Sequence, residues 1–301
     1  MIGQSYHSAI LRGVTITSRQ NPLVARFRDA ARSEADGIML LDGAHLVADA
    51  VDAGVSLLVA AVTPKALEDH GLQALIAALG GQGVEVMLVS APVMDAISPV
   101  RSSSAIVALA ERPAAPTDAF YRSAAPLIVV AVDVQDPGNV GAIVRVAEAA
   151  GATGVVAAAG SASPFGWKAL RGSMGSALRL PIAAGVTADE AVDAARGHGC
   201  RIVAAVPRDG QPIFEANLAG PLAILIGGEG RGLAEPLVDA ADERVTIPMQ
   251  APVESLNAAV TAALILYEAR RQRSAISHGT TKRTKETKDT RDTYKAPERS
   301  R

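Results

Sequence analysis

The chain has 301 residues, enough for two ordinary domains with cores of their own. It is 49% hydrophobic and 20% charged, as expected of a soluble globular protein, and a net charge of −2 excludes a bulk polycation that binds nucleic acid by total charge. The single cysteine, Cys200, excludes an intramolecular disulfide and fits a reducing, cytoplasmic setting; no secretory leader and no run of membrane-spanning length is expected.

Residues 1–14 suggest no element. The run Ile16–Pro22 reads as a helix entry with Pro22 in the first turn, and the helix should continue to about Arg32. It carries Arg26, Arg28 and Arg32, with Arg19 just upstream, a small cationic patch whose plain reading is a solvated face. Alternating elements follow: strand 37–41, helix 43–53, strand 56–62, helix 64–79, strand 84–89, short helix 92–97 and strand 105–110. This gives a small α/β domain over residues 15–111. Residues 112–125, rich in Pro and Ala, read as a semi-rigid linker.

A second domain is expected over residues 126–273. The β-branched run 127–134 predicts a buried parallel strand, followed by a turn at Asp136-Pro137-Gly138. Asn139 is placed to cap the next helix, which Gly151 ends before a strand at 154–156. Arg145 lies six residues beyond Asn139, about 600° of helix, hence on another face. Asn139 itself stands at a strand's carboxyl end, where open α/β sheets hold ligands. Further on, helices are predicted at 167–176, 188–197 and 256–273, and strands at 201–206, 222–227 and 244–248. From Ser274 the chain has eight basic and four acidic residues and few apolar ones, so 274–301 reads as a disordered basic tail.

Two later stretches carry chemistry. Gly227-Gly228-Glu229-Gly230-Arg231-Gly232 follows a buried strand. No Gly-Lys-Ser/Thr closes it as a P-loop, and its glycine spacing is not the dinucleotide fingerprint. Four glycines with a carboxylate and a guanidinium exceed what a tight turn needs; they let backbone groups approach a ligand closely. Next, Ile247-Pro248-Met249 leads to Glu254-Ser255-Leu256-Asn257, where Ser255 or Asn257 can cap the last helix. The five histidines have no metal-ligand spacing, so no metal is expected. Cys200 and Trp167 read as packed side chains.

Taken together, DPGNVGAIVR, IGGEGRGL and IPMQAPVESLNAAV resemble, in order and spacing, the three signature motifs of the SpoU (TrmH-like) family of the SPOUT superfamily, RNA 2′-O-ribose methyltransferases. ITSRQNPLVARFR and LLDGAHLV are similar to that family's ribosomal-protein-L30e-like substrate-binding domain, with Asp42 where Glu is more usual.

The resemblance implies an α/β fold: a C-terminal SPOUT domain with a deep trefoil knot, preceded by a small L30e-like α/β domain. It implies S-adenosylmethionine as cofactor and a homodimer built through the catalytic domain. Asn139, Arg145, Glu229, Ser255 and Asn257 match the catalytic positions. Gly227, Gly228, Ile247, Met249 and Leu256 match cofactor contacts. RGSMGSALRLP, with Arg171, Ser173 and Gly175, resembles the segment lining the RNA. For gripping RNA the candidates are Arg19, Arg26, Arg28 and Arg171, then Arg32, Lys168, Arg179 and the tail. Ribosomal RNA is the expected substrate, transfer RNA the second. Arg145 stays protonated, so it reads as an electrostatic and positioning group, with a base role open. A non-catalytic RNA-binding or ribosome-assembly protein that kept the fold, and a base-methylating SPOUT enzyme, are the alternatives.

Overall fold

The computed structural model describes residues 15–32, 36–114 and 117–289, with side chains up to residue 275. The first domain runs α1 (Pro22–Ala31), β1 (Ile38–Asp42), α2 (Ala44–Asp52), β2 (Leu57–Val62), α3 (His70–Gly81), β3 (Glu85–Leu88), α4 (Ala91–Ile97) and β4 (Ile106–Glu111). Its sheet has the order β1-β4-β2-β3, with β4 antiparallel to both neighbours and β2 parallel to β3. Alternation along the strands divides the core in two. Met39, Leu41 and Ala108 pack with α2 and α3 (Val47, Ile76, Leu79), whereas Leu40, Val107 and Leu109 pack with α1 and α4 (Val24, Phe27, Val93, Met94).

The second domain contains β5 (Leu127–Val132), α5 (Pro137–Ala150), β6 (Gly154–Ala157), α6 (Trp167–Ser173), α7 (Ser176–Arg179), β7 (Ile182–Ala184), α8 (Ala188–Gly197), β8 (Arg201–Ala205), β9 (Gln211–Pro212), β10 (Leu222–Gly227), α9 (Glu235–Ala240), β11 (Glu243–Thr246) and α10 (Ala258–Asp289). Its seven strands are parallel, in the order β7-β6-β5-β10-β8-β11-β9. Helices cover both faces, so the central strands are continuous apolar runs. Val129, Val155, Ile224 and Ile226 meet α5 and α10 through Ile143, Val144, Ile265 and Leu266. Ile128, Val130, Ile202 and Leu225 meet α8 through Ala191, Val192 and Ala195. The chain runs outward from β5 through β6 and β7, then returns to the other side, so the order reverses between β5 and β10. A crevice outside the carboxyl ends of these two strands is where such sheets hold ligands.

Five expectations need correction. Asp136, not Asn139, caps α5: its Oδ1 accepts from the Asn139 amide at 3.0 Å, with Pro137 in the first turn, where its missing N–H costs nothing. The helix expected over 64–79 is a 3-10 turn (Pro64–Leu67) and then α3, because Asp69 caps a new start on the Leu72 amide at 3.0 Å. The helix expected over 167–176 breaks at Met174 and Gly175, both left-handed. The Pro/Ala stretch 112–125 is more than a spacer, for it delivers Phe120, 2% exposed, onto Gly154. A Cβ on Gly154 would come within 2.7 Å of that ring. Finally, α10 continues through 274–289, where disorder was expected. Lys, Arg and Glu are good helix formers, and no proline interrupts the run. Residues 290–301 lie outside the described residues.

Candidate functional site

Three segments distant in sequence meet at the crevice. The turn after β5 and the first turn of α5 supply Asn139. The glycine loop after β10 supplies Glu229. The stretch that caps α10 supplies Asn257. The Asn139 Nδ2 amide donates to Glu229 Oε1. Asn257 Nδ2 donates to Asn139 Oδ1 at 3.0 Å and to Glu229 Oε1 at 3.2 Å. Asn257 Oδ1 in turn accepts from the Ala259 and Val260 amides, at 2.9 and 3.3 Å, as the cap of α10. Sequence reasoning left the cap between Ser255 and Asn257, and the structure assigns it to Asn257. The cap fixes the Asn257 amide so that its N–H groups can only face Glu229 and Asn139. Glu229 and Asn257 are exposed and Asn139 is half-buried, so the cluster borders solvent.

Glycines permit this approach. A Cβ on Gly228 would lie 1.8 Å from the Asp133 carbonyl oxygen, and one on Gly227 2.5 Å from the Gly232 carbonyl carbon. The loop after β10 is therefore clamped against the end of β5 at distances that no other residue allows. Asp133 complements it with a left-handed φ of 55°, rare outside glycine.

Beside the cluster lies a cavity of about 460 Å³. Gly227, Gly228, Glu229, Ile247, Met249, Ser255, Leu256 and Asn257 all line it. The backbone of the glycine loop forms one wall, and Ile226, Leu233, Ile247 and Leu256 give it apolar character. Arg231 and Glu229 are the only ionisable groups in the lining among the described residues. A main-chain wall with apolar neighbours suits an adenosine-bearing ligand such as S-adenosylmethionine, whose ring needs flat apolar contact and a few backbone hydrogen bonds.

The other predicted residues lie elsewhere. Arg145 is six residues beyond Asn139, about 9 Å along α5 and 240° around it, exposed and outside the hydrogen-bonded cluster. Ser255 lines the cavity with no side-chain hydrogen bond among the described residues. Arg19 and Arg28 donate through Nε to the Pro92 and Ala96 carbonyls at 3.0 and 3.1 Å, so both brace α1 against α4. Arg26 is exposed, and Arg32 pairs with Asp29 at 2.7 Å. Arg179 is committed to Glu148 by two parallel hydrogen bonds of 2.8 and 2.9 Å. Trp167 packs on the first domain beside α1 and α4, with Lys168 Nζ 5.5 Å from its ring centre. Cys200 is buried, and burial raises its thiol pKa, as befits a packed side chain.

Sequence reasoning missed Asp133 and the part of the cavity made by Ala205, Val206, Pro207 and Thr261. The signal for Asp136 was present, since Asp followed by Pro is a helix-start pattern. Residues 205–207 had none, for they are brought in only by the pairing of β8 with β10.

Comparison with known proteins agrees with this geometry. Residues 126–267 match the SpoU rRNA Methylase family, and residues 13–120 match the Thiostrepton-resistance methylase N-terminal family. An uncharacterised tRNA/rRNA methyltransferase of Synechocystis is 34% identical over 269 residues, covering 87% of this chain and 96% of that protein. The 23S rRNA (guanosine(2553)-2′-O)-methyltransferase RlmP of Bacillus subtilis is 30% identical over 189 residues, 62% of this chain and 73% of that one. Among solved structures, an AdoMet-bound rRNA methyltransferase of Sinorhizobium meliloti superposes with a TM-score of 0.76 at 27% identity, covering 86% of this chain and 97% of that one.

Proposed function

The chain belongs to the SpoU family of SPOUT RNA methyltransferases, for which S-adenosylmethionine is the cofactor, and we propose that it methylates a ribose 2′-OH of ribosomal RNA. The observation that carries this reading is the Asn139–Glu229–Asn257 cluster at the strand-order reversal, beside a glycine-walled cavity. Ribosomal RNA is favoured over transfer RNA by the match to the SpoU rRNA Methylase family and by the RlmP relative.

When bound, S-adenosylmethionine supplies an activated methyl group on a sulfonium. The chain's own residues do the rest. Gly227, Gly228, Ile247, Met249 and Leu256, which line the cavity, would hold the cofactor, mostly through main chain and apolar contact. Asn139 and Asn257 fix Glu229, and the three form one rigid polar edge that orients the ribose. The Arg145 guanidinium favours the 2′-alkoxide and its neighbouring phosphate, and the hydroxyl proton passes to water. Ser255 adds a hydroxyl at the cavity rim.

This reading includes the family's knot and dimer. Support for the knot is the close packing of the loop after β10 against Asp133, with the 247–257 stretch lining the same cavity. Support for the dimer is an exposed apolar stripe on α10, Val260, Leu264 and Tyr267, with Phe214 beside it; such a stripe at helical spacing is expected to be covered. The first domain is the L30e-like RNA-binding module, with Arg26 its most available cation on α1.

The test is transfer of labelled methyl from S-adenosylmethionine to unmodified ribosomal and transfer RNA, followed by alkali. An alkali-resistant linkage in ribosomal RNA is the expected product, since a 2′-O-methyl group blocks cleavage there. Label that leaves every linkage alkali-sensitive points to base methylation and overturns the ribose reading. Arg145→Ala should lose turnover while keeping cofactor affinity; near wild-type turnover would remove Arg145 from the mechanism.

A further inference from the structure

A second cavity, of about 560 Å³, lies between the two domains. One wall is the end of β1, the start of α2 and the serine-rich loop around Arg101. The other is the last turn of α6, with Arg171 and Met174. Arg101 and Arg171 thus approach the cleft from different domains. Both are exposed, and neither has a side-chain partner among the described residues. The two carboxylates in the lining are already engaged. Asp42 is 7% exposed and accepts from Ser98 Oγ at 2.7 Å and from Ser104 Oγ. Asp49 faces Arg179 at 3.7 Å. The cleft therefore presents two uncommitted guanidinium groups and no uncommitted carboxylate. The start of α2 adds to the same sign: Gly43 offers no side-chain cap, so the first N–H groups of this nine-residue helix are left without one.

The cleft's position relative to the candidate site is informative. The α6 helix that carries Arg171 packs directly on the first turn of α5, which carries Asn139. A Cβ on Gly141 would meet the Ala169 carbonyl oxygen at 2.4 Å, and one on Gly172 the Gly138 carbonyl oxygen at 3.4 Å. One helix separates the cleft from the polar cluster. The wall also lies close against the first domain, since a Cβ on left-handed Gly175 would meet the Asp49 carboxylate at 2.3 Å.

From these observations we infer that the interdomain cleft is a seat for backbone phosphates of the RNA substrate, gripped by Arg101 from one domain and Arg171 from the other, so that a strand held there continues across α6 to the Asn139–Glu229–Asn257 cluster. Planar guanidinium forks suit phosphate oxygens, and such contacts set register rather than sequence. This rests on the RNA methyltransferase reading, but the test below reads binding and does not depend on turnover.

The experiment compares the full-length protein with its Arg101→Ala/Arg171→Ala variant. Affinity for protein-free, unmodified ribosomal RNA is measured across a salt series, and affinity for S-adenosylmethionine by calorimetry. Losing two phosphate contacts should weaken RNA binding about 10-fold or more and lower the slope of log affinity against log salt by about 1.4, at ~0.7 per phosphate on a single strand, with cofactor affinity unchanged. An unchanged slope and RNA affinity, with cofactor binding intact, would overturn the proposal. If the double variant loses cofactor binding, the single variants and Arg101→Lys/Arg171→Lys decide: the lysine pair should keep the wild-type slope, and each alanine should lower it by about half the full amount. Inorganic phosphate is the control for a simple anion site. A variant that loses phosphate binding while keeping RNA affinity would likewise overturn the inference. Absence of methyl transfer by the wild-type protein would fault the enzymatic reading, and the salt slopes would still decide the cleft.

Discussion

The two domains each contain a carboxylate held by two donors from distant segments. In the first, Asp42 at the end of β1 accepts from Ser98 and Ser104, more than 50 residues away. In the second, Glu229 at the end of β10 accepts from Asn139 and Asn257. Chemically the clusters are similar, but their settings differ. Asp42 is 7% exposed, with both oxygens bound, so its bonds tie the 98–104 loop to the sheet. Glu229 is exposed, and both its bonds fall on one oxygen. A buried carboxylate with both oxygens bonded inside the fold is architecture, because its partners are supplied by the chain itself. An exposed one pinned on one side keeps capacity for a ligand.

Four substitutions would break or sharpen that contrast. Gly228→Ala should have the largest effect, because the new methyl would collide with backbone rather than with a side chain that can turn away. We expect a loss of ~3 kcal/mol or more and no cofactor binding, read by denaturant titration and calorimetry. A variant of wild-type stability would show that the loop is not clamped to β5.

Glu229→Ala comes next. Turnover should fall about 100-fold, roughly 2.7 kcal/mol at the transition state, with the melting temperature within a degree of wild type. A large loss of stability with little change in rate would reverse the assignment and make this cluster the architectural one.

Asp42→Ala should do the opposite. Removing a buried acceptor orphans the Ser98 and Ser104 hydroxyls and should cost about 2–3 kcal/mol, with S-adenosylmethionine affinity unchanged. Differential scanning calorimetry should show a melting point several degrees lower, at ~2–4 °C per kcal/mol. An unaltered melting curve would remove the structural role.

The smallest effect is expected for Glu148→Gln. Arg179, hydrogen-bonded to Glu148, holds that carboxyl below its ordinary value, partly opposed by burial. Its folded pKa is depressed, so its contribution is present above the ordinary carboxylate pKa near 4.5 and is lost as pH falls through the lower folded value. Both side chains are partly exposed, so we expect only about 0.5–1 kcal/mol at neutral pH. The gap between wild type and variant should close as the pH falls through that depressed folded value, below which both carry a neutral side chain. A gap independent of pH would mean that packing, not charge, accounts for it.

Much of this molecule is determined locally. β-branched runs such as 127–132 and 222–227 form strands because they suit a sheet buried on both faces. Asn21 and Pro22 start α1, and Gly151 ends α5 in the left-handed conformation, because capping depends on neighbouring residues alone. The three motifs likewise name Asn139, Glu229 and Asn257 without coordinates. Tertiary structure decided what those side chains do. Asn257 caps α10 and bonds two residues at once, Arg145 stands apart from the cluster, and Arg101 meets Arg171 in a cleft that no spacing announces. It also broke the helix predicted over 167–176, where Met174 and Gly175 both take left-handed conformations. The physical reason is the range of the forces: propensity and capping act over a few residues, whereas hydrogen-bond partners 90 or 118 residues apart exist only once the sheet has ordered its strands.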